Sequence, residues 1–139
     1  MDVAHVIQSA LAPVFLISGV GVMLGVLVNR LARIVDRARV WEAEAVRESH
    51  RAHEFDGRLQ VLARRSRYIS AAIAMSTISA LLVALVVVAL FANAFLGVNL
   101  AGLIAILFVS AMLSLTGAFL AFLIEVWIAT ATIRIGHPR

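Results

Sequence analysis

The stretch that decides the fold is ISAAIAMSTISALLVALVVVALFANAFLGVNLAGLIAILFVSAMLSLTGAFLAFLI, residues 69–124, 56 positions without one Asp, Glu, Lys or Arg. Such a run is too long for a single crossing of a hydrocarbon core about 30 Å thick, and it suits two spans of roughly 20–25 residues joined by a turn. The turn falls at Asn93-Ala94-Phe95-Leu96-Gly97-Val98-Asn99, where two asparagines and a glycine interrupt the aliphatic pattern. Transmembrane helices are therefore expected over 69–92 and over 100–124, the latter continuing as a helix to about residue 133.

Working back toward the N-terminus, a third uncharged span runs from about residue 3 to residue 28. Its leader Met1-Asp2-Val3-Ala4-His5 lacks Arg and Lys, and the small-x-small pairs Ala10/Ala12 and Gly19/Gly21 fall inside the apolar stretch. Both features argue for a mature helix over a cleaved signal. Pro13 lies well inside it, where a kink is tolerated if neighbouring groups satisfy the freed carbonyl. The whole chain of 139 residues, 63% hydrophobic, 14% charged and without cysteine, reads as an all-α integral membrane protein of three spans in one domain. That composition excludes a soluble domain, a disulfide scaffold and thiolate chemistry.

Between the first and second spans lies the polar segment 30–67, with ten of the twelve arginines and six of the eight acids. There is no lysine, and the net charge is +4. Because the arginines flank apolar spans, they read as a topology signal, not as a nucleic-acid surface. The positive-inside rule makes this segment cytoplasmic, with the N-terminus and the 93–99 turn outside and the C-terminus inside. Apolar or small residues recur three and four apart, at Leu31, Ile34, Ala38, Trp41, Ala45, Ala52, Phe55, Leu59 and Leu62, which predicts helix. The chain must leave the membrane and return, so a helical hairpin is required. Its tip is expected at Glu48–His53, with Asp56-Gly57 as a competing turn.

Candidate functional residues gather at the inner boundary. Ser18, Gly21, Gly25, Asn29 and Asp36 share one stripe of the first helix, and Arg30, Arg33 and Arg37 share the next. Ser18, Gly21, Gly25 and Asn29 are the candidate pore lining, with Arg30, Arg33 and Asp36 at the inner mouth. Glu125 shares a small and polar stripe with Ser110, Ser114, Gly117 and Ala121. Its depth near the interface favours an ion pair with Arg30, Arg33 or Arg67 over a proton or cation site. Arg37, Arg64, Arg65 and Arg67 form a collar for anionic headgroups, with Tyr68 and Trp127 in the aromatic belt. His50 and His53 read as solvated tip residues, since two imidazoles do not fill a metal shell. No metal, cofactor or catalytic residue is expected, and no enzyme signature is present.

The stretch from Leu11 to Gly19 containing Pro13, the segment Asn29-Arg30-Leu31-Ala32-Arg33-Ile34-Val35-Asp36-Arg37, and Arg64-Arg65-Ser66-Arg67 together resemble the small bacterial membrane-protein family catalogued as domain of unknown function 2721. The resemblance implies this architecture in a bacterial membrane and carries no activity with it. Two roles follow from the residues themselves. One is a homo-oligomer in the inner membrane that forms an ion-conducting pore. The other is a non-conducting adaptor whose arginine-rich hairpin binds anionic phospholipid or a cytoplasmic protein partner, through Trp41 and Phe55 if they form an exposed apolar anchor.

Overall fold

The computed structural model describes residues 3–47 and 52–135. They form three helices: α1 over Val3–Arg47, α2 over Ala52–Leu96 and α3 over Ala101–Ile135. Each is long and apolar enough to cross a membrane. No break separates the apolar spans from the polar segment. α1 continues past Asn29 and α2 is already helical through Asp56-Gly57, which is therefore not a turn. Residues 48–51, with His50, and the side chains of His53 and Phe55 lie outside the described residues.

The helices run antiparallel in sequence, and α2 packs along both of the others. Contacts between α1 and α2 preserve one register from end to end: Ser76 reaches the Met23 sulfur, Leu27 and Ile34 cluster with Leu62 and Ile69, and the Arg58 guanidinium lies 5.5 Å from the Trp41 ring. Buried positions of α1, namely Val6, Ala10, Pro13, Val20, Leu27 and Ile34, step by three, four or seven. That spacing is the 3.5-residue period of a coiled-coil seam. α1 passes through Pro13 as continuous helix, with the ring buried, as proline in a membrane-length helix can where neighbouring groups and local adjustment accommodate the freed carbonyl.

The α2–α3 seam is built from small residues. Ala72 and Ser79 on α2 and Ala111 and Ala118 on α3 are all buried. Such side chains let two backbones approach closely, which is the main source of helix attraction in a medium as apolar as leucine. Two hydroxyls cross the seam to backbone carbonyls: Ser79 Oγ donates to Ala111 O at 2.8 Å and Ser114 Oγ to Met75 O at 2.7 Å.

The loop between α2 and α3 is shorter than the sequence suggests. Asn93 to Leu96 belong to α2, and only residues 97–100 connect the helices. Gly97 takes the left-handed φ of +67° that ends a helix without a Cβ clash. The Asn93 side chain accepts from the Leu100 N–H at 2.9 Å and Asn99 from the Ala101 N–H at 3.3 Å, so the asparagines serve as caps. The polar residues that look like a loop in sequence are thus the ones that let the helices extend.

At Gly117 an added Cβ would meet the Met75 terminal methyl. Gly117→Val is therefore expected to destabilise the protein by about 1–3 kcal/mol through overpacking. Thermal unfolding in detergent checks this, with Met75→Ala in the Gly117→Val background recovering part of the loss.

Candidate functional site

Arginine at the end of an apolar span and glutamate near the end of another are costly unless they meet. Here they do. Glu125 projects from α3 and is fully buried, with 0% exposure. Arg30 of α1 donates to its Oε2 through Nε at 3.0 Å and Nη2 at 2.7 Å. Arg65 of α2 donates to its Oε1 through Nε at 3.0 Å. One carboxylate is thus shared by two guanidiniums, and each oxygen is held by a different helix. The Arg30 guanidinium also stacks 5.4 Å from the ring centre of Phe122, one turn before Glu125 on α3. Arg30 retains 32% side-chain exposure and Arg65 15%, so the carboxylate is dry while both cations reach toward the polar boundary. Among the described residues no buried side-chain polar atom lacks a partner.

The depth follows from helix length. Glu125 lies 24 residues beyond Ala101, about 36 Å along the axis at 1.5 Å per residue, and so at the end of α3 remote from the Gly97 turn. Arg30 and Arg65 lie at the matching ends of the apolar parts of α1 and α2.

Three of the sequence expectations change here. The partners of Glu125 are Arg30 and Arg65; Arg33 and Arg67 make no ion pair with it. Arg65, expected at headgroups, instead turns inward because it faces α3 from the same side of α2 as Ser79 and Ala72. Periodicity carried that signal: Arg65, Ala72 and Ser79 are spaced seven apart, whereas Arg64 and Arg67 are exposed. The third change concerns α1. Ser18, Gly21, Gly25, Asn29 and Asp36 are all exposed, on the side away from the other helices. Arg30 lies five residues from Gly25, about 140° around the helix at 100° per residue, and belongs to the packed side. The candidate lining and Arg30 therefore do not share a face.

Beside the ion triad, Arg30, Arg33, Arg37 and Arg65 line a cleft of about 170 Å³ together with Ile34 and Leu62. Among the described residues no three His, Asp or Glu side chains gather as they would around a metal ion.

The arrangement spans most of the chain, and so does its likeness to other proteins: the family model described as "Protein of unknown function (DUF2721)" matches residues 10–135. The chain belongs to this family. No curated protein and no solved structure matches it. Membership in DUF2721 is thus accompanied by no borrowed activity, and the chemistry must be read from the residues themselves.

A triad of this kind can lock three helices together or hold a mobile charge. Removing one partner of a buried pair leaves an uncompensated charge and costs about 3–5 kcal/mol, whereas replacing the whole set with apolar residues is often neutral. Glu125→Gln is expected to destabilise the protein on that scale in detergent unfolding. The triple variant Arg30→Met/Arg65→Leu/Glu125→Leu is expected to regain most of that loss if the triad acts as a clamp.

Proposed function

We propose that this protein is a homo-oligomer of the bacterial inner membrane, that α1 turns its small and polar face toward neighbouring copies, and that the assembly conducts ions along that face. The observation that carries the reading is the exposure of Ser18, Gly21, Gly25 and Asn29 on one side of a membrane-crossing helix. A Cβ at Gly21 or Gly25 would meet nothing within 4 Å, so these glycines are not needed for packing within one copy. Small residues exposed in a span favour close helix approach, and Asn29 in lipid is costly without a polar partner or water. In the most apolar window of the three spans only 17–28% of positions are buried, which leaves ample surface for copies to meet.

In this arrangement the arginine-rich ends of α1 and α2 lie in the cytoplasm and the Gly97 turn faces outside, as the positive-inside rule requires. Contacts repeated around an axis close into a ring. Asn29 and Asp36 then supply the inner mouth, while Arg30 stays in the clamp with Glu125 and Arg33 borders the cleft beside it.

The chain has no cysteine, so single-cysteine variants report contacts cleanly. Under oxidation Gly25→Cys is expected to give covalent dimers in membranes, and Val109→Cys, on the exposed side of α3, is not. Liposome flux of small ions through the purified oligomer tests conduction; an intact oligomer that passes none removes the pore.

A second reading is supported by a different observation. Val40 and Val46 are exposed on the arm of α1 that extends beyond the apolar span, at 56% and 84%. Exposed valines in water suit a cytoplasmic protein partner, and an adaptor would use them. Trp41 does not serve as an anchor of that kind, because it is half-buried against the α1–α2 core and Arg58.

A further inference from the structure

The ion triad leaves an excess of positive charge. Four guanidiniums line the cleft beside it, and no acid does. Glu125 engages Arg30 and only Nε of Arg65, and among the described residues Arg33 and Arg37 have no acidic partner. Arg33 and Arg37 are exposed beside the buried triad, and like charges gathered at the edge of a low-dielectric region attract an anion. A cleft of about 170 Å³ exceeds the roughly 10–15 Å³ that one water needs on the same measure and has room for an ion with several oxygens. Guanidinium forks match the oxygens of a phosphate group in pairs, a fit that a compact ammonium does not provide.

The same side of α1 continues into an apolar groove. At 100° per residue Val26, Met23 and Gly19 fall within about 40° of Arg30. There α1 and α3 border a groove of about 330 Å³ lined by Leu16, Val20, Met23, Leu115 and Phe119. Met23 is ten residues from Arg33, about 15 Å along the helix. One leaflet of the hydrocarbon core is about 15 Å deep, so a chain anchored at the cleft reaches the near end of the groove.

We infer that cleft and groove form one site for an anionic glycerophospholipid, with its phosphate among Arg33, Arg37 and Arg65 and an acyl chain running past Val26 into the groove at Met23. The inference rests on the membrane reading of the chain and is independent of conduction. The site is specific where a diffuse collar is not: it uses the arginines of one cleft and leaves Arg64, on the exposed side of α2, outside.

The test uses the full-length protein in detergent, with lipid occupancy read by native mass spectrometry during titration with phosphatidylglycerol, phosphatidylcholine or soluble glycerol phosphate. Phosphatidylglycerol is expected to bind at least tenfold more tightly than either of the others. Arg33→Gln/Arg37→Gln is expected to weaken it by roughly tenfold or more, while the unfolding midpoint is unchanged because neither residue belongs to the clamp. Arg64→Gln serves as the control and leaves affinity unchanged. Gly19→Leu, placed where a Cβ meets nothing within 4 Å, fills the groove and is expected to weaken lipid binding without changing the preference for the anionic headgroup.

Equal binding of the two lipids, or an equal loss from Arg64→Gln and the double variant, overturns the site in favour of a diffuse collar. Glycerol phosphate binding as tightly as the lipid overturns the lipid assignment in favour of a soluble phosphate. Unchanged lipid affinity in Gly19→Leu overturns the groove. Absence of ion flux or of Gly25→Cys dimers bears on the pore alone, so the two readings fail separately.

Discussion

One carboxylate organises the boundary of this bundle. A buried carboxylate without partners is costly, and the two oxygens of Glu125 are satisfied by arginines from the two other helices. That requirement sets the axial register of all three helices at one level: sliding any helix by one turn would separate a buried charge from its partner by about 5.4 Å. Apolar packing alone is permissive about register, because one leucine row resembles the next. A charge that must meet its partner is not, and polar groups in membranes mark register for that reason.

The remainder of the bundle is arranged around that level. Toward the Gly97 turn, the small residues of the α2–α3 seam allow the close approach that draws α3 in. Ser79 and Ser114 satisfy their hydroxyls on carbonyls of the facing helix and leave no polar atom to lipid. Beyond that level, away from the Gly97 turn, α1 and α2 continue as one pair, held by Ile34, Leu62 and the Trp41–Arg58 contact. The two faces of α1 are thereby given different partners: the Val20, Leu27 and Ile34 side is used up within one copy, and the Gly21–Gly25–Asn29 side is left over. The leftover side motivates the oligomer, and the arginines that the clamp does not neutralise motivate the lipid.

Much of the fold was legible from composition and periodicity, for a physical reason. A membrane imposes a length on apolar runs, so an uncharged stretch of 56 residues had to divide in two, and the polar segment had to return to the membrane. Two local readings were less secure. Asn93 reads as a loop residue because asparagine is common in both turns and caps, and only the packing of two long helices puts it in α2, whereas Asn99 does lie in the connection. Asp56-Gly57 carries a turn signal that the surrounding helix overrides, since one glycine costs only about 1 kcal/mol against a long packed helix.

The sequence by itself determined that the protein is helical, that three stretches are long and apolar enough to cross a membrane, that most of its arginines gather in the segment between the first two, and that Glu125 needs a cationic partner. Those conclusions depend on solvation and spacing, which are properties of the chain. Which arginine answers Glu125 depended on the facing of α2 against α3, so Arg65 was found where Arg33 and Arg67 were equally admissible in sequence. Likewise, a helical wheel shows that Ser18, Gly21, Gly25 and Asn29 share a stripe, but not whether that stripe is packed. Only the tertiary structure decided that it faces outward, because the burial of one face of α1 is settled by which face α2 and α3 occupy.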